Sequence, residues 1–135
     1  SVNIQKSKEH SRKLRREIYF YIIDRYNLYF SNNSFDSVVS SLGLCTYQNP
    51  VKALNEMVRV CKPKGDILLL EHGLSNREWL RNYQNKKVDV HARRLGCYWN
   101  RDVLEIVGNA RLEVIESKRS FLGMIYFIKA VPVKR

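Results

Sequence analysis

The fold of this chain is decided by three adjoining stretches: Ser34-Phe35-Asp36-Ser37-Val38-Val39, residues 50–61, and Lys62-Pro63-Lys64-Gly65-Asp66-Ile67-Leu68-Leu69-Leu70-Glu71-His72. The first predicts a strand over 37–41, and the third predicts a turn over 62–65 followed by a buried strand over 67–70. Between them, Asn49 and Pro50 supply a helix cap and a first helical residue. One helical face then carries the apolar residues Val51, Leu54, Val58 and Cys61. Strand, helix and strand in this order predict one crossover unit with parallel strands.

Two further elements are predicted upstream. Residues 2–16 are polar and rich in helix formers, which predicts a surface helix that covers one face of a sheet. Residues 18–23 are aromatic or β-branched throughout, which predicts a strand buried on both faces and closed by Asp24. The Ser-Asn-Asn-Ser run at residues 31–34 then predicts a turn before the crossover unit.

Two helices and a hairpin are predicted downstream. Residues 76–94 favour a helix whose inward positions are Trp79, Leu80, Tyr83, Val88 and Val90. Asn100 is predicted to cap a short helix, which Gly108-Asn109 ends. The last two elements are strands over 112–117 and 124–131, and their short connection predicts an antiparallel hairpin.

Composition limits the class of protein to which the chain can belong. With 135 residues, 44% of them hydrophobic, it has enough apolar surface for one core, and it is shorter than a complete doubly wound enzyme. Because it begins with Ser1 rather than methionine, we expect it to begin inside a longer protein. No apolar run in the sequence approaches the roughly 20 residues that cross a bilayer.

The charge is strongly positive, and the cysteines are few. The net charge of +11 comes from 24 Lys and Arg against 13 Asp and Glu, and the positive residues are densest over 6–16 and 77–94. Such a surplus attracts nucleic acid or anionic lipid, although solvated helix faces explain it as well. Cys45, Cys61 and Cys97 are widely separated, so we expect neither a disulfide framework nor a bound metal. A reducing, intracellular compartment fits this cysteine usage.

Two groups of motifs give the chain a family resemblance. The Phe35-Asp36-Ser37-Val38-Val39 strand and the strand over 62–70, which flank one helix, resemble the middle and C-terminal portion of class I S-adenosylmethionine-dependent methyltransferases. Leu70-Glu71-His72-Gly73 and the later Gly96-Cys97-Tyr98-Trp99-Asn100-Arg101-Asp102 are similar to the ubiquinone/menaquinone-type and methyltransferase-like branch. The resemblance implies an α/β Rossmann-like fold, N-terminally incomplete, with parallel strands and a C-terminal antiparallel hairpin. It also implies an enzyme that moves a methyl group from S-adenosylmethionine to a small or lipid-like acceptor, in a mitochondrial or membrane-proximal setting.

Candidate cofactor residues follow from the resemblance. The acidic residue that ends the family's third strand accepts a hydrogen bond from the adenine amino group. Asp24 stands at that position, followed by Arg25 where the family often has a small residue. Ser41, Leu42 and Gly43 match the stretch whose backbone approaches the methionine part of the cofactor. The alternative for Asp24 is an aspartate that only forms a turn, and the alternative for Ser41, Leu42 and Gly43 is an ordinary end of a strand.

Candidate acceptor residues lie later in the chain. The charged pair Glu71-His72 follows four apolar residues, so we expect it to emerge at the ligand-binding edge of the sheet. His72 is a candidate catalytic base or a wall of the acceptor pocket, because methyl transfer from a sulfonium needs mainly an aligned nucleophile. In the resembled branch the intervening helices help to line that pocket, which makes further candidates of Trp79, His91, Cys97, Tyr98 and Trp99. The alternatives are a hydrophobic staple for Tyr98 and Trp99 and a packed thiol for Cys97.

The family's glycine-rich first motif, Gly-x-Gly-x-Gly, does not occur in this sequence. In the family's strand order, 3-2-1-4-5-7-6, the strand over 18–23 would then lack its neighbours. We therefore expect residues 1–31 to rearrange, to pair with a second copy by strand swapping, or to depend on a further segment. Residues 34–135 are expected to form the core of one partial domain that alone binds the cofactor weakly or not at all. The alternative function is a non-catalytic basic module that binds RNA, anionic membrane or a partner subunit.

Overall fold

Eight elements make up the part of the chain that the computed structural model describes, which is residues 2–15 and 24–134. They are α1 (Val2–Lys13), β1 (Phe35–Ser41), α2 (Pro50–Val60), β2 (Cys61–His72), α3 (Glu78–Leu95), α4 (Val103–Gly108), β3 (Leu112–Ser120) and β4 (Ile125–Pro132). The strand predicted over 18–23 lies outside the described residues. Within them, no helix has both the length and the apolar character that crossing a membrane requires.

The first helix is mostly exposed in its described portion. Among the side chains of residues 5–13, Ser11 is buried and the others are exposed. The Ser11 hydroxyl donates to the Lys8 carbonyl of the same helix at 2.9 Å. These residues therefore form a surface helix, as predicted, but they do not cover a sheet face.

The four strands form one sheet in the order β1-β2-β4-β3. β1 and β2 run parallel, with Val38 opposite Ile67, and α2 is the crossover between them. β4 runs antiparallel to both β2 and β3. This is the 4-5-7-6 part of the expected family order, so the prediction of a Rossmann-like arrangement with a C-terminal antiparallel hairpin is confirmed.

One face of the sheet carries the core. β2 contributes Ile67 and Leu69, and β4 contributes Ile128 and Ala130, all of them fully buried. The helices α2 and α4 pack on this face through Leu54, Val58, Val103 and Val107. Burying a side chain of the size of leucine or valine stabilises a fold by about 1.5–3 kcal/mol. The start of α2 is as predicted, because the Asn49 side chain accepts from the Lys52 N–H at 3.1 Å.

The opposite face of the sheet is more open. Leu70 of β2 and Phe127 of β4 lie side by side across the ladder, and both are exposed, as is Val39 of β1. Successive side chains of a strand point to opposite faces, so His72 shares this second face with Leu70. The end of β2 thus places His72 on the side of the sheet away from α2.

The start of β2 differs from the prediction. Phe35 pairs with Cys61 and Ser37 pairs with Asp66, so residues 62–65 form an irregularity inside the strand instead of a turn before it. A Cβ on Gly65 would lie 2.6 Å from the Asp36 carbonyl oxygen, which shows how closely the two backbones approach there. The proline and the glycine of this stretch, which usually mark a turn, therefore lie in a locally widened part of the strand.

Both downstream helices also differ from their predictions. Leu80 and Gln84 are the buried residues of α3, whereas three predicted inward residues, Trp79, Tyr83 and Val90, are exposed. Gln84 is buried because its side-chain amide pairs with backbone groups of two neighbouring loops. The cap of α4 is Asp102 rather than Asn100, since its carboxylate accepts from the Glu105 N–H at 3.2 Å.

Candidate functional site

The loop that follows β1 is shaped by two close contacts. The Leu42 N–H donates to the Leu70 carbonyl at 2.7 Å, so the chain leaves β1 beside the end of β2. A Cβ on Gly43 would lie 2.3 Å from the Tyr47 hydroxyl oxygen, which explains the glycine at this position. Ser41 and Leu42 are both exposed. The loop therefore presents two of its three predicted cofactor residues to solvent.

A buried carboxylate holds this loop in place. Glu71 is fully buried, and it accepts from the Leu44 N–H and from the Ser40 hydroxyl, each at 3.0 Å. Burial raises the pKa of Glu71. The expectation that Glu71 emerges from the sheet is therefore wrong. The alternation of side chains along β2 indicated this burial, because Glu71 lies on the same face of the strand as the core residues Ile67 and Leu69.

The turn at Asp24 and Arg25 packs beside the loop. Asp24 Oδ1 accepts from the Tyr26 N–H at 2.9 Å, and the Arg25 guanidinium lies 4.7 Å from the centre of the Tyr47 ring. The Tyr26 hydroxyl accepts from the Asn49 N–H at 3.0 Å. The structure thus brings together the two places that the sequence assigned to the cofactor.

Glu56 and Arg59 of α2 hold the segment after this turn. Glu56 accepts from the Leu28 N–H at 2.8 Å, and Arg59 donates to the carbonyls of Leu28 and Phe30, each at 2.7 Å. The two side chains also pair with each other at 2.8 Å. The hydrogen bond from Arg59 lowers the pKa of Glu56. At neutral pH the carboxylate is therefore charged and the contacts it makes are complete.

A second group of predicted residues meets at the end of β2. The rings of His91 and Trp99 are stacked, with centres 3.9 Å apart and planes inclined by 12°. The His72 ring centre lies 6.3 Å from that of His91 and 6.5 Å from that of Trp99. Its Nδ1 is 3.6 Å from the Sγ atom of Cys97. We call His72, His91, Cys97 and Trp99 the β2-end cluster.

Burial sets the protonation of this cluster. Burial, together with the charge of His91, lowers the pKa of His72. Burial and the neighbouring Cys45 thiol raise the pKa of Cys97 to about 12. At neutral pH the cluster therefore contains a neutral His72 imidazole and a protonated thiol. A neutral imidazole can accept a proton, whereas a protonated, buried thiol is a poor nucleophile.

Hydrogen bonds from residues next to the cluster join it to the loop after β1. The Tyr98 N–H donates to the Cys45 carbonyl at 2.7 Å. The Arg101 guanidinium donates to the carbonyls of Leu44 and Tyr47. The stretches predicted to hold the cofactor and the acceptor therefore lie side by side at one edge of the sheet.

Two predicted acceptor residues lie outside the cluster. Trp79 is 63% exposed, and Tyr98 is 44% exposed with the Arg101 guanidinium 5.0 Å from its ring centre. Tyr83 was predicted to face the core, and its ring centre instead lies 6.0 Å from that of Trp99. Tyr83 is thus a neighbour of the cluster that the sequence did not identify. Its place near the acceptor residues could have been predicted from Trp79, because residues four positions apart share one face of a helix.

Comparisons with known proteins point to one family. Residues 1–69 match the methyltransferase domain family. Over 96 residues the chain is 36% identical to the mitochondrial methyltransferase OMS1 of Saccharomyces cerevisiae, a match covering 71% of this chain and 20% of the yeast protein. Over 60 residues it is 42% identical to the ubiquinone/menaquinone biosynthesis C-methyltransferase UbiE of Bdellovibrio bacteriovorus, covering 44% of this chain and 26% of UbiE.

The fold agrees with these matches. The crystal structure of the PH0226 protein from Pyrococcus horikoshii is similar with a TM-score of 0.73 and 17% identity, covering 96% of this chain and 66% of that chain. At this identity the likeness concerns the fold alone. The matches with OMS1 and UbiE span about a quarter of either relative or less.

Proposed function

Because this chain belongs to the methyltransferase domain family, we propose that it supplies part of the active site of an S-adenosylmethionine-dependent methyltransferase. The observation that supports this most strongly is the meeting of the loop after β1, the turn at Asp24 and the β2-end cluster at one edge of the sheet. In open α/β sheets the ligand lies outside the carboxyl ends of the strands, which is this edge.

The turn at Asp24 and the end of β1 offer groups that suit the cofactor. Asp24 is exposed, and its carboxylate has acceptor capacity beyond its bond to the Tyr26 N–H. We assign it to the adenine amino group and assign Ser41, Leu42 and Gly43 to the methionine moiety. Glu71 supports this assignment by fixing the loop from inside the sheet. When bound, S-adenosylmethionine supplies an electrophilic methyl group whose leaving group is a neutral thioether.

The β2-end cluster is proposed to line the acceptor pocket. The stacked His91 and Trp99 offer an aromatic surface, and His72 lies 6.5 Å from Trp99 with a neutral ring. Such a surface suits a flat, apolar acceptor, and the name of UbiE places quinone-type compounds among the candidates. His72 then orients the acceptor and accepts its proton if the nucleophile is a hydroxyl or a thiol. The name of OMS1 supports a mitochondrial setting.

A non-catalytic role for the basic surface is the second candidate. The helix α3 exposes four cations together with the indole of Trp79, namely Lys86, Lys87, Arg93 and Arg94. Exposed cations beside an aromatic side chain suit binding to RNA or to an anionic membrane. Strand swapping of residues 1–31 between two copies also stays a proposal, and sedimentation equilibrium tests it.

Calorimetric titration of S-adenosylhomocysteine tests the proposed function. The ligand is titrated into this chain and into a longer chain that includes the family's glycine-rich turn. We expect the longer chain to bind. We expect Asp24→Asn to weaken its binding about tenfold, because a neutral amide oxygen accepts a weaker hydrogen bond than a carboxylate does. Asp89→Asn is the matched control, because Asp89 is exposed on α3.

Two results would contradict the proposed function. The first is an absence of binding to either chain. The second is an equal effect of Asp24→Asn and Asp89→Asn on affinity. Salt-dependent binding of RNA or of anionic vesicles, without binding of S-adenosylhomocysteine, would favour the second candidate.

A further inference from the structure

We propose that His72, His91 and Cys97 form a zinc site at the carboxyl end of β2. One ligand atom from each residue lies within 4.8 Å of the other two. The Nδ1 of His72 and the Sγ of Cys97 are 3.6 Å apart. In a tetrahedral site with ordinary Zn–N and Zn–S bond lengths, a nitrogen and a sulfur ligand are separated by about 3.6 Å. The histidine and the cysteine therefore already stand at the spacing of two zinc ligands.

The three side chains lie on β2, on α3 and directly after the C-terminal cap of α3. His72 pairs with Ile125 in the sheet, and His91 lies in the last turns of α3. Cys97 follows the helix through Gly96, which has a φ of 67°. This left-handed residue reverses the chain at the end of α3 and brings Cys97 back towards His72. A site built on a strand, a helix and a helix cap is held more rigidly than one built on a single loop.

Neighbouring groups fix the orientation of the His91 ring. Trp99 stacks on it, and the Trp99 Nε1–H donates to the Gln84 carbonyl at 2.7 Å. The Gln84 side chain is itself bonded to the backbone of Gly73 and Trp99. Supporting contacts of this kind around metal ligands restrict ring rotation and raise affinity.

The chemistry of the three groups selects the metal and the type of site. Two imidazoles and one thiolate suit zinc, and zinc binding displaces the proton of the Cys97 thiol to solvent. Three protein ligands leave the fourth tetrahedral position for water or an exogenous ligand. Cys97 is buried, whereas both histidines are half-buried, so the open position lies on their side. No bound metal was expected from the sequence because the three cysteines are far apart in the chain. The fold instead brings one cysteine together with two histidines. The proposal does not depend on cofactor binding. While zinc is bound, His72 acts as a ligand and does not accept a proton from the methyl acceptor.

Metal titration of the full chain tests the proposal. The chain is first treated with a chelator and dialysed. It is then titrated with Co²⁺ while the absorbance spectrum is recorded. Zinc affinity is measured separately, by competition with a chromophoric chelator at one fixed pH. We expect one ion per chain and a thiolate-to-cobalt charge-transfer band that Cys97→Ser abolishes. His72→Gln and His91→Gln should each weaken zinc binding by about 100-fold or more, because loss of a supporting contact alone costs about 10–100-fold.

The third histidine supplies the control. His10 is exposed on α1, so His10→Gln should leave zinc affinity unchanged. Circular dichroism of each variant shows that it is folded. A cobalt complex without the charge-transfer band overturns the proposal, as does a folded His91→Gln variant with the zinc affinity of the unsubstituted chain. An equal loss of affinity in His10→Gln and His91→Gln also overturns it.

Discussion

Replacing Glu71 by alanine should destabilise the protein more than any exposed acidic substitution. The change leaves the Leu44 N–H and the Ser40 hydroxyl without their shared acceptor, and the two residues are 0% and 6% exposed. Each unpaired buried group costs about 1–3 kcal/mol, and the space left by the side chain adds to this. We expect a total loss of at least about 2 kcal/mol, and up to about 6 kcal/mol, in the free energy of unfolding.

Urea denaturation followed by circular dichroism measures this loss. Glu71→Gln keeps an acceptor oxygen and removes only a charge that burial disfavours, so it should cost about 1 kcal/mol or less. Glu116→Ala is the control, because Glu116 is exposed on β3 and its change should stay within about 0.5 kcal/mol. A structural role for Glu71 is excluded if Glu71→Ala unfolds at the same urea concentration as Glu116→Ala, or if Glu71→Gln lowers the free energy of unfolding as much as Glu71→Ala does.

Three further outcomes are expected. Glu56→Gln should lower stability at neutral pH by about 1–2 kcal/mol through lost contacts with Arg59. The pKa of Glu56 in the folded protein lies below its usual 4.5. The difference in stability between the two proteins is therefore complete above pH 4.5 and disappears as the pH falls through the folded pKa. Urea midpoints that differ by the same amount at acid pH would contradict this expectation. Gly96→Ala should cost about 1–2 kcal/mol in thermal unfolding because of its positive φ, whereas Gly108→Ala, at a helical residue without close neighbours, should not. Asn49→Ala should cost about 1 kcal/mol as a lost helix cap, and an unchanged melting temperature would argue against that cap.

Local pattern was sufficient to predict the crossover and the hairpin. The apolar stretch over 67–70 and the Asn49-Pro50 start of α2 are decided by neighbouring residues, so sequence alone identified them. The downstream hairpin is equally local, since its two strands are joined by a short turn. The start of β2 was missed because residues 62–65 widen the strand only in response to the backbone of β1.

Buried polar residues could not be predicted in the same way. The alternation of β2 indicates the side of the sheet on which Glu71 lies, whereas its partners in β1 and in the loop after β1 could not be predicted. Gln84 is inside because backbone groups of two neighbouring loops need partners there, and no hydrophobic pattern reports such a need. Trp79 is exposed for the same reason: the hydrogen bonds of Gln84, and not the aromatic residues, decide which side of α3 faces inward.

The β2-end cluster was predicted only as a set of separate candidates. His72 and His91 lie on different elements, and their approach depends on how α3 is placed against the end of β2. The return of Cys97 towards His72 depends on the left-handed Gly96. Sequence could therefore indicate which residue types lie at this edge, whereas the contacts among them required the structure.

An amide NMR titration of the longer, isotope-labelled chain with S-adenosylhomocysteine shows directly whether the edge of the sheet at the end of β1 binds the cofactor. We expect the shifted amides to include Asp24, Leu42 and Gly43, at the edge where the turn and the loop after β1 meet. The exposed outer strand, represented by Glu116, should stay unshifted. Unchanged spectra, or shifts confined to β3 and α1, would contradict the proposal that this edge of the sheet binds the cofactor.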